Sequence, residues 1–128
     1  MTNEEINKII AEFCGWVEYH PTPESISKGY PSYSYWTPPR DSKQFAENWG
    51  KLEMDYPPDY CNNLNAMAEA ENLLTGEKRI EFIDYLCEVV KRDKNISEGP
   101  YSVMTQAFYA TAKQQAIAFV KTIGKWKD

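Results

Sequence analysis

The chain has 128 residues, of which 42% are apolar and 26% charged, with a net charge of −5 and three scattered cysteines. That length fits one domain, residues 1–128, which buries roughly two-thirds of its unfolded surface with no need of covalent or metal staples. The negative balance excludes generic attraction to phosphate backbones, so no nucleic-acid partner is expected. Cys14, Cys61, Cys87 and the single histidine, His20, lack the close four-ligand spacing of structural zinc, so neither metal nor cofactor is expected.

The start, Met1-Thr2-Asn3-Glu4-Glu5, is polar and acidic and has neither part of a signal peptide. No apolar run approaches the ~20 residues of a membrane span, so a cytoplasmic protein with no membrane partner is expected. Thr2 and Glu5 form a capping-box pattern. Ile6, Ile9, Ile10 and Phe13 follow at helical spacing up to Gly15, which predicts a first helix over about residues 3–14.

Seven of the eight prolines fall in residues 21–58, so no long helix or central strand crosses that region. Within it, 33–37 (Tyr-Ser-Tyr-Trp-Thr) alternates polar and aromatic residues with strong β propensity. Residues 16–19 and 52–54 are further short strand candidates, and 42–49 has the residues for a helical turn or two. The region reads as a small sheet with ordered loops.

A second helix is predicted over about 61–74, capped by Asp59 or Asn62, with Leu64, Met67, Ala68 and Leu74 as its apolar stripe. After Thr75-Gly76, a third runs from 77 to 91, with Ile80, Ile83, Cys87 and Val90 on one face and Phe82, Leu86 and Val89 widening it. Residues 101–109 read as a strand. A last helix, 111–123, opens on a second capping box, Thr111 with Gln114, and carries Ala112, Ala116, Phe119, Val120 and Ile123 as a stripe. It stops at Gly124, with Lys121 and Lys125 at the negative end of its dipole. The pattern as a whole predicts an α+β fold, a small antiparallel sheet sandwiched by about four helices in an αβα arrangement, with amphipathic first and last helices.

The chemistry-bearing residues are few. No GxSxG, cysteine-nucleophile, GxGxxG or GxxxxGK[ST] motif is present, so no catalytic residue is expected. His20, before Pro21, reads as a surface or turn histidine. Glu81, Asp84 and Glu88 share a helix face, and a solvated face is the ordinary reading. The start of the last helix offers unbonded N–H groups and a positive dipole end, which suit a phosphate. Thr111, Lys113 and Gln114 lie there, and Phe108 just upstream offers a ring on which a base could stack. The alternative is that Thr111 and Gln114 only cap the helix. Residues 59–65 (Asp-Tyr-Cys-Asn-Asn-Leu-Asn) are dense in short polar side chains. Capping accounts for Asn62 but not for Asn65 one turn into the predicted helix, so Asn65 is free to bond elsewhere in the fold or to a ligand.

Two of these stretches, Pro58 to Met67 with Glu69-Ala70-Glu71, and Ala110 to Phe119 ending in Thr122-Ile123-Gly124-Lys125-Trp126, together with Glu5-Ile6-Asn7 and Gly15-Trp16, resemble the phage ABA-sandwich family of small phage and prophage proteins. These landmarks span about a third of the chain, in family order. The group looks similar to phage Thoeris anti-defence sponges, which implies a non-enzymatic counter-defence protein in the cytoplasm of an infected or lysogenic bacterium. Such a protein would act as a homo-oligomer that sequesters a cyclic ADP-ribose isomer, and in some members cyclic oligonucleotides, in pockets at subunit interfaces. The implied ligand-binding residues are Phe108, Thr111, Lys113, Gln114, Asn62 and Asn65. The family's last helix typically carries an arginine right after the glutamine. Here that position is Gln115, so either Lys113 supplies the cation or the pocket differs. Two other functional classes are open. A phage accessory adaptor or inhibitor of a host enzyme would use an exposed aromatic patch built from Tyr30, Tyr33, Tyr35 and Trp36. An enzyme would reveal itself by converting its nucleotide.

Overall fold

A computed structural model describes residues 1–40, 56–94 and 107–128. In chain order these contain α1 (Asn3–Phe13), β1 (Val17–Tyr19), α2 (Pro23–Ser27), β2 (Tyr35–Thr37), a 3-10 turn (Tyr60–Asn62), α3 (Leu64–Glu71), α4 (Glu77–Lys94) and α5 (Ala112–Thr122). The class is α+β: five α-helices and one two-stranded antiparallel sheet among the described residues. Residue contacts gather into two compact units, one of Met1–Ile10 with Pro58–Asp128 and one of Ala11–Pro57. Among the described residues no helix is long and apolar enough to cross a membrane. The possible strand at 52–54 and the possible turns at 42–49 lie outside the described residues.

In the first unit α1 starts as its capping box dictates. The Thr2 N–H donates to Glu5 Oε2 at 2.7 Å, and the Glu5 N–H donates to Thr2 Oγ1 at 3.2 Å. Ile6 and Ile10 are fully buried. The central helix of this unit is α5, which packs most extensively on α4 and also on α3 and the 3-10 turn. Ala116, Ala118, Phe119 and Val120 are fully buried on it, and buried Thr122 returns its hydroxyl to the Ala118 carbonyl at 2.8 Å. The C-terminus of α5 closes in a Schellman arrangement. The Lys125 N–H donates to the Val120 carbonyl and the Gly124 N–H to that of Lys121, with Gly124 at φ +73°.

Three expectations are corrected here. Ile80 and Ile83 on α4 are 63% and 52% exposed, while Phe82, Leu86, Val89 and Val90 form its buried face. Apolar residues cover a wide arc of this helix, and packing against α5 buries only one side of it. The second helix begins at Leu64 rather than 61, after the 3-10 turn, and its N-cap is Asn63, whose Oδ1 accepts the Ala66 N–H at 3.0 Å. Asn65 is therefore a first-turn residue, and its place in a helix interior no longer needs explaining. Ala107 and Phe108 sit in a helical turn rather than a strand, and residues 101–106 lie outside the described residues.

In the second unit β1 pairs antiparallel with β2, Val17 opposite Thr37 and Tyr19 opposite Tyr35. Between them α2 is a five-residue helix absent from the sequence-based reading. Its signals are nonetheless local: Thr22 and Ser25 exchange cap hydrogen bonds and Pro23 occupies the first turn, where a missing N–H costs nothing. The end of α1 turns into β1 at Gly15, φ +97°, where a Cβ would also stand 3.3 Å from Pro39 Cβ. The backbone conformation favours glycine there, and a side chain would in addition press on Pro39.

Candidate functional site

The N-terminus of α5 is built by its own sequence. The Gln114 N–H donates to Thr111 Oγ1 at 3.1 Å and the Thr111 N–H donates to Gln114 Oε1 at 2.9 Å, a complete capping box. The remaining Gln114 amide hydrogens point at α4, where Nε2 donates to Asp93 Oδ2 at 3.1 Å. Gln114 is buried, so it serves the fold rather than the surface. Gln115 turns its amide back to the Ala110 carbonyl at 3.1 Å. Two aromatic rings stand exposed just upstream, Phe108 at 84% and Tyr109 at 79%, ahead of buried Ala110 and Ala112.

Lys113 faces a second polar group. Its Nζ donates to Asn3 Oδ1 at the start of α1. The Asn3 carbonyl accepts the Cys61 thiol at 3.8 Å. Asn7, one turn further along α1, accepts the Cys61 N–H at 3.0 Å on Oδ1 and donates to Asp59 Oδ1 at 2.8 Å. Asn62 donates to the other Asp59 oxygen at 2.8 Å. Hydrogen bonds from Asn62 and then Asn7 hold the Asp59 carboxyl below its ordinary pKa. Burial pushes the Cys61 thiol up, with the nearby Lys113 ammonium opposing, so this sulfur is a structural thiol and not an activated nucleophile.

Of the residues read from sequence, Lys113 and Asn62 are therefore brought into one network, and Thr111 and Gln114 into the cap beside it. Asn65 is exposed in the first turn of α3. Asn3, Asn7 and Asp59 were not expected at the site. Their signal was faint: Asn3 and Asn7 share a helix face through i+4 spacing, but nothing local ties them to a segment more than 50 residues away. The arrangement places a lysine and the positive end of a helix dipole, both of which favour an anion, beside exposed rings that can stack.

Elsewhere in this unit a cavity of about 390 Å³ is lined by Met1, Glu5, Lys8, Ile9, Lys127 and Asp128. It includes none of the predicted ligand residues. In the second unit Tyr30, Tyr19, Tyr35 and Tyr33 form a run of phenol rings, with centroid separations of 6.3, 4.6 and 6.3 Å. Tyr19 anchors it, its hydroxyl 2.6 Å from Ser25 Oγ and donating to the Pro31 carbonyl at 3.1 Å. The rings at the two ends are open, Tyr30 at 56% and Tyr33 at 50% exposure. Burial and then the neighbouring phenols raise the Tyr35 pKa.

His20 lies 3.6 Å from Glu18 Oε2 and 3.5 Å from Ser34 Oγ. These separations exceed the roughly 2.6–3.2 Å of a nucleophile–base pair, and His20 and Ser34 are both exposed, each next to an end of the paired strands. Comparison of the chain with protein families, with curated proteins and with solved structures returns no match.

Proposed function

We propose that this protein binds and sequesters a cyclic nucleotide without altering it, at the N-terminus of α5. The observation that carries the reading is the exposure of Phe108 and Tyr109, 84% and 79%, directly ahead of a positive helix end with a lysine in its first turn. Isolated exposed aromatics are common, but two together beside a phosphate-favouring helix start fit a ligand with a base and an anionic linkage. Thr111 and Gln114 hold the helix end in shape. Ligand contact falls to Phe108 and Lys113, with Asn62 in the hydrogen-bond network that Lys113 joins, and Asn65 a further contact read from the sequence.

The resemblance to the phage family supplies the ligand class, a cyclic ADP-ribose isomer or cyclic oligonucleotide, and the setting, the cytoplasm of a bacterium under phage attack. The action is stoichiometric: each bound messenger is withdrawn from its effector. Homo-oligomerisation belongs to the same proposal.

Isothermal titration of the full chain with a panel of cyclic ADP-ribose isomers and cyclic di- and trinucleotides tests it. Micromolar or tighter binding is expected for at least one, with the ligand recovered intact after denaturation. Phe108→Ala should weaken binding by about 5- to 100-fold, the range of one base–aromatic stack. Lys113→Ala should weaken it about tenfold or more through loss of a charged hydrogen bond. No heat with any member of the panel sinks the reading, and a converted nucleotide would make the protein an enzyme instead.

A second reading, a protein–protein adaptor, is favoured by one observation: the Tyr30 and Tyr33 rings are open to solvent rather than buried. Exposed tyrosines suit interface centres. If these rings dock a host protein, the Tyr30→Ala/Tyr33→Ala double variant loses capture of that protein from a bacterial lysate while keeping the helical content of the wild type. Equal capture by both would remove the tyrosine face from consideration.

A further inference from the structure

Asp59 is an exposed carboxylate held in one position. The two residues after it, Tyr60 and Cys61, are buried and anchor the backbone. Asn7 Nδ2 donates to its Oδ1 and Asn62 Nδ2 to its Oδ2, each at 2.8 Å. An ionised carboxylate has about four acceptor sites, more than these amides use, so both oxygens can still accept from a ligand. The same bonds, that of Asn62 first, hold the carboxyl below its ordinary pKa and keep it ionised at neutral pH. Lys113 stands in the same network without neutralising this charge. Its ammonium donates to the neutral Asn3 Oδ1, the Asn3 carbonyl accepts the Cys61 thiol, and the Cys61 N–H donates to Asn7, which leads to Asp59. Both charges reach the Cys61 thiol: beneath the larger effect of burial, Lys113 lowers its pKa and Asp59 raises it. Among the described residues neither Lys113 nor Asp59 has an ion-pair partner.

A cation and an anion kept apart by neutral amides suit a ligand that brings an anion to one and a hydrogen-bond donor to the other. A nucleotide does both within one unit: its phosphate is the anion and its ribose hydroxyls are the donors. We propose that Asp59 accepts a ribose hydroxyl of the bound nucleotide, so that the site selects ribonucleotides over their deoxyribose counterparts. This rests on the nucleotide reading and adds to it a contact residue and a selectivity. Phosphate meets Lys113 and sugar meets Asp59. Asn7 and Asn62 are positioning residues that aim the carboxylate, and Asn3 does the same for the ammonium. A hydroxyl bonded to a carboxylate is a charge-assisted contact, which contributes about 10- to 100-fold in affinity.

The test is isothermal titration of the full chain with each cyclic ADP-ribose isomer and each cyclic di- and trinucleotide of the panel, beside its deoxyribose counterpart. The unaltered chain should bind a ribose form about 10- to 100-fold more tightly than the matching deoxyribose form. Asp59→Asn keeps the size of the side chain and removes its charge. It should bind both forms alike, near the affinity of the unaltered chain for the deoxyribose form. Lys113→Ala should weaken both forms by the same factor and keep their ratio. A merely structural role for Asp59 would lower both affinities together and leave the ratio intact, so the ratio is the deciding readout. Circular dichroism reports whether Asp59→Asn folds, and the comparison on the unaltered chain decides even where it does not. Equal affinity for the two forms overturns this proposal and leaves the nucleotide reading standing, as does a preference that a folded Asp59→Asn retains. No binding of any ribose form overturns both.

Discussion

Phe119→Ala is expected to destabilise the protein by about 3–5 kcal/mol, more than any other single truncation of the core. Phe119 lies midway along α5 and is fully buried, as are Ile6, Met67, Val90 and Val120. Its helix is the one that α3, α4 and the 3-10 turn all contact, so the lost ring leaves a void within the most heavily packed helix of the unit. Neighbouring side chains are held by separate backbones and cannot all collapse into it, which adds a cavity cost to the lost transfer energy. A domain of this size has about 5–15 kcal/mol of stability in total, so the loss is a large share of it. Urea denaturation should show a much lower midpoint with an unchanged slope. Ile80→Ala on exposed α4 is the matched control and should move stability by no more than about 0.5 kcal/mol. Comparable losses from the two substitutions would mean that the core lies elsewhere.

That contrast also marks how far the sequence can be read. α5 was legible from end to end because its signals are local and agree: a capping box at Thr111 and Gln114, small and apolar residues on the packed face, and Gly124 at the stop. Local bonds make caps and stops, and those bonds join residues three to five apart. The paired strands around Tyr19 and Tyr35 were legible through β propensity and the alternation of residues 33–37. α4 was read correctly as a helix but incorrectly in orientation. Two apolar faces compete on it, Ile80 with Ile83 against Phe82 with Leu86, and only the position of α5 decides between them. The candidate site divides in the same way. The Thr111–Gln114 exchange follows from spacing, whereas the contacts of Lys113 with Asn3 and of Asn7 with Asp59 and Cys61 join distant segments. No periodicity encodes such pairs. The capping box also explains why Thr111 and Gln114 were attractive as ligand residues: the groups that shape a helix end are of the same kind as those that bind an anion there.

The second large effect should appear on a pH axis. Glu71, the last residue of α3, has a buried Oε1 with no hydrogen-bond partner, and burial pushes its carboxyl from the ordinary 4.5 up to about 7, with Arg79 opposing. The negative end of the α3 dipole acts in the same sense as burial. A carboxyl whose folded pKa is raised binds its proton more tightly in the folded state. Below about pH 4.5 it is protonated in both states and contributes no pH dependence. Between 4.5 and about 7 the unfolded chain ionises first, so stability falls as pH rises, and above 7 the full penalty is present. The full shift would correspond to about 3 kcal/mol, but the carboxyl is partly solvated, and about 1 kcal/mol is the appropriate expectation. Glu71→Gln removes the ionisation and keeps the shape. It should match the wild type at pH 4, exceed it by about 1 kcal/mol at pH 8, and diverge from it between 4.5 and 7. Glu5 and Asp59, whose pKa values are lowered, shift stability in the opposite sense at lower pH and are common to both proteins, so they cancel in the difference. A carbon-detected NMR titration of the Glu71 carboxyl gives the same quantity directly. A midpoint near 4.5, or a Glu71→Gln difference that does not change with pH, would mean that water reaches this carboxylate and that α3 ends in solvent rather than against the core.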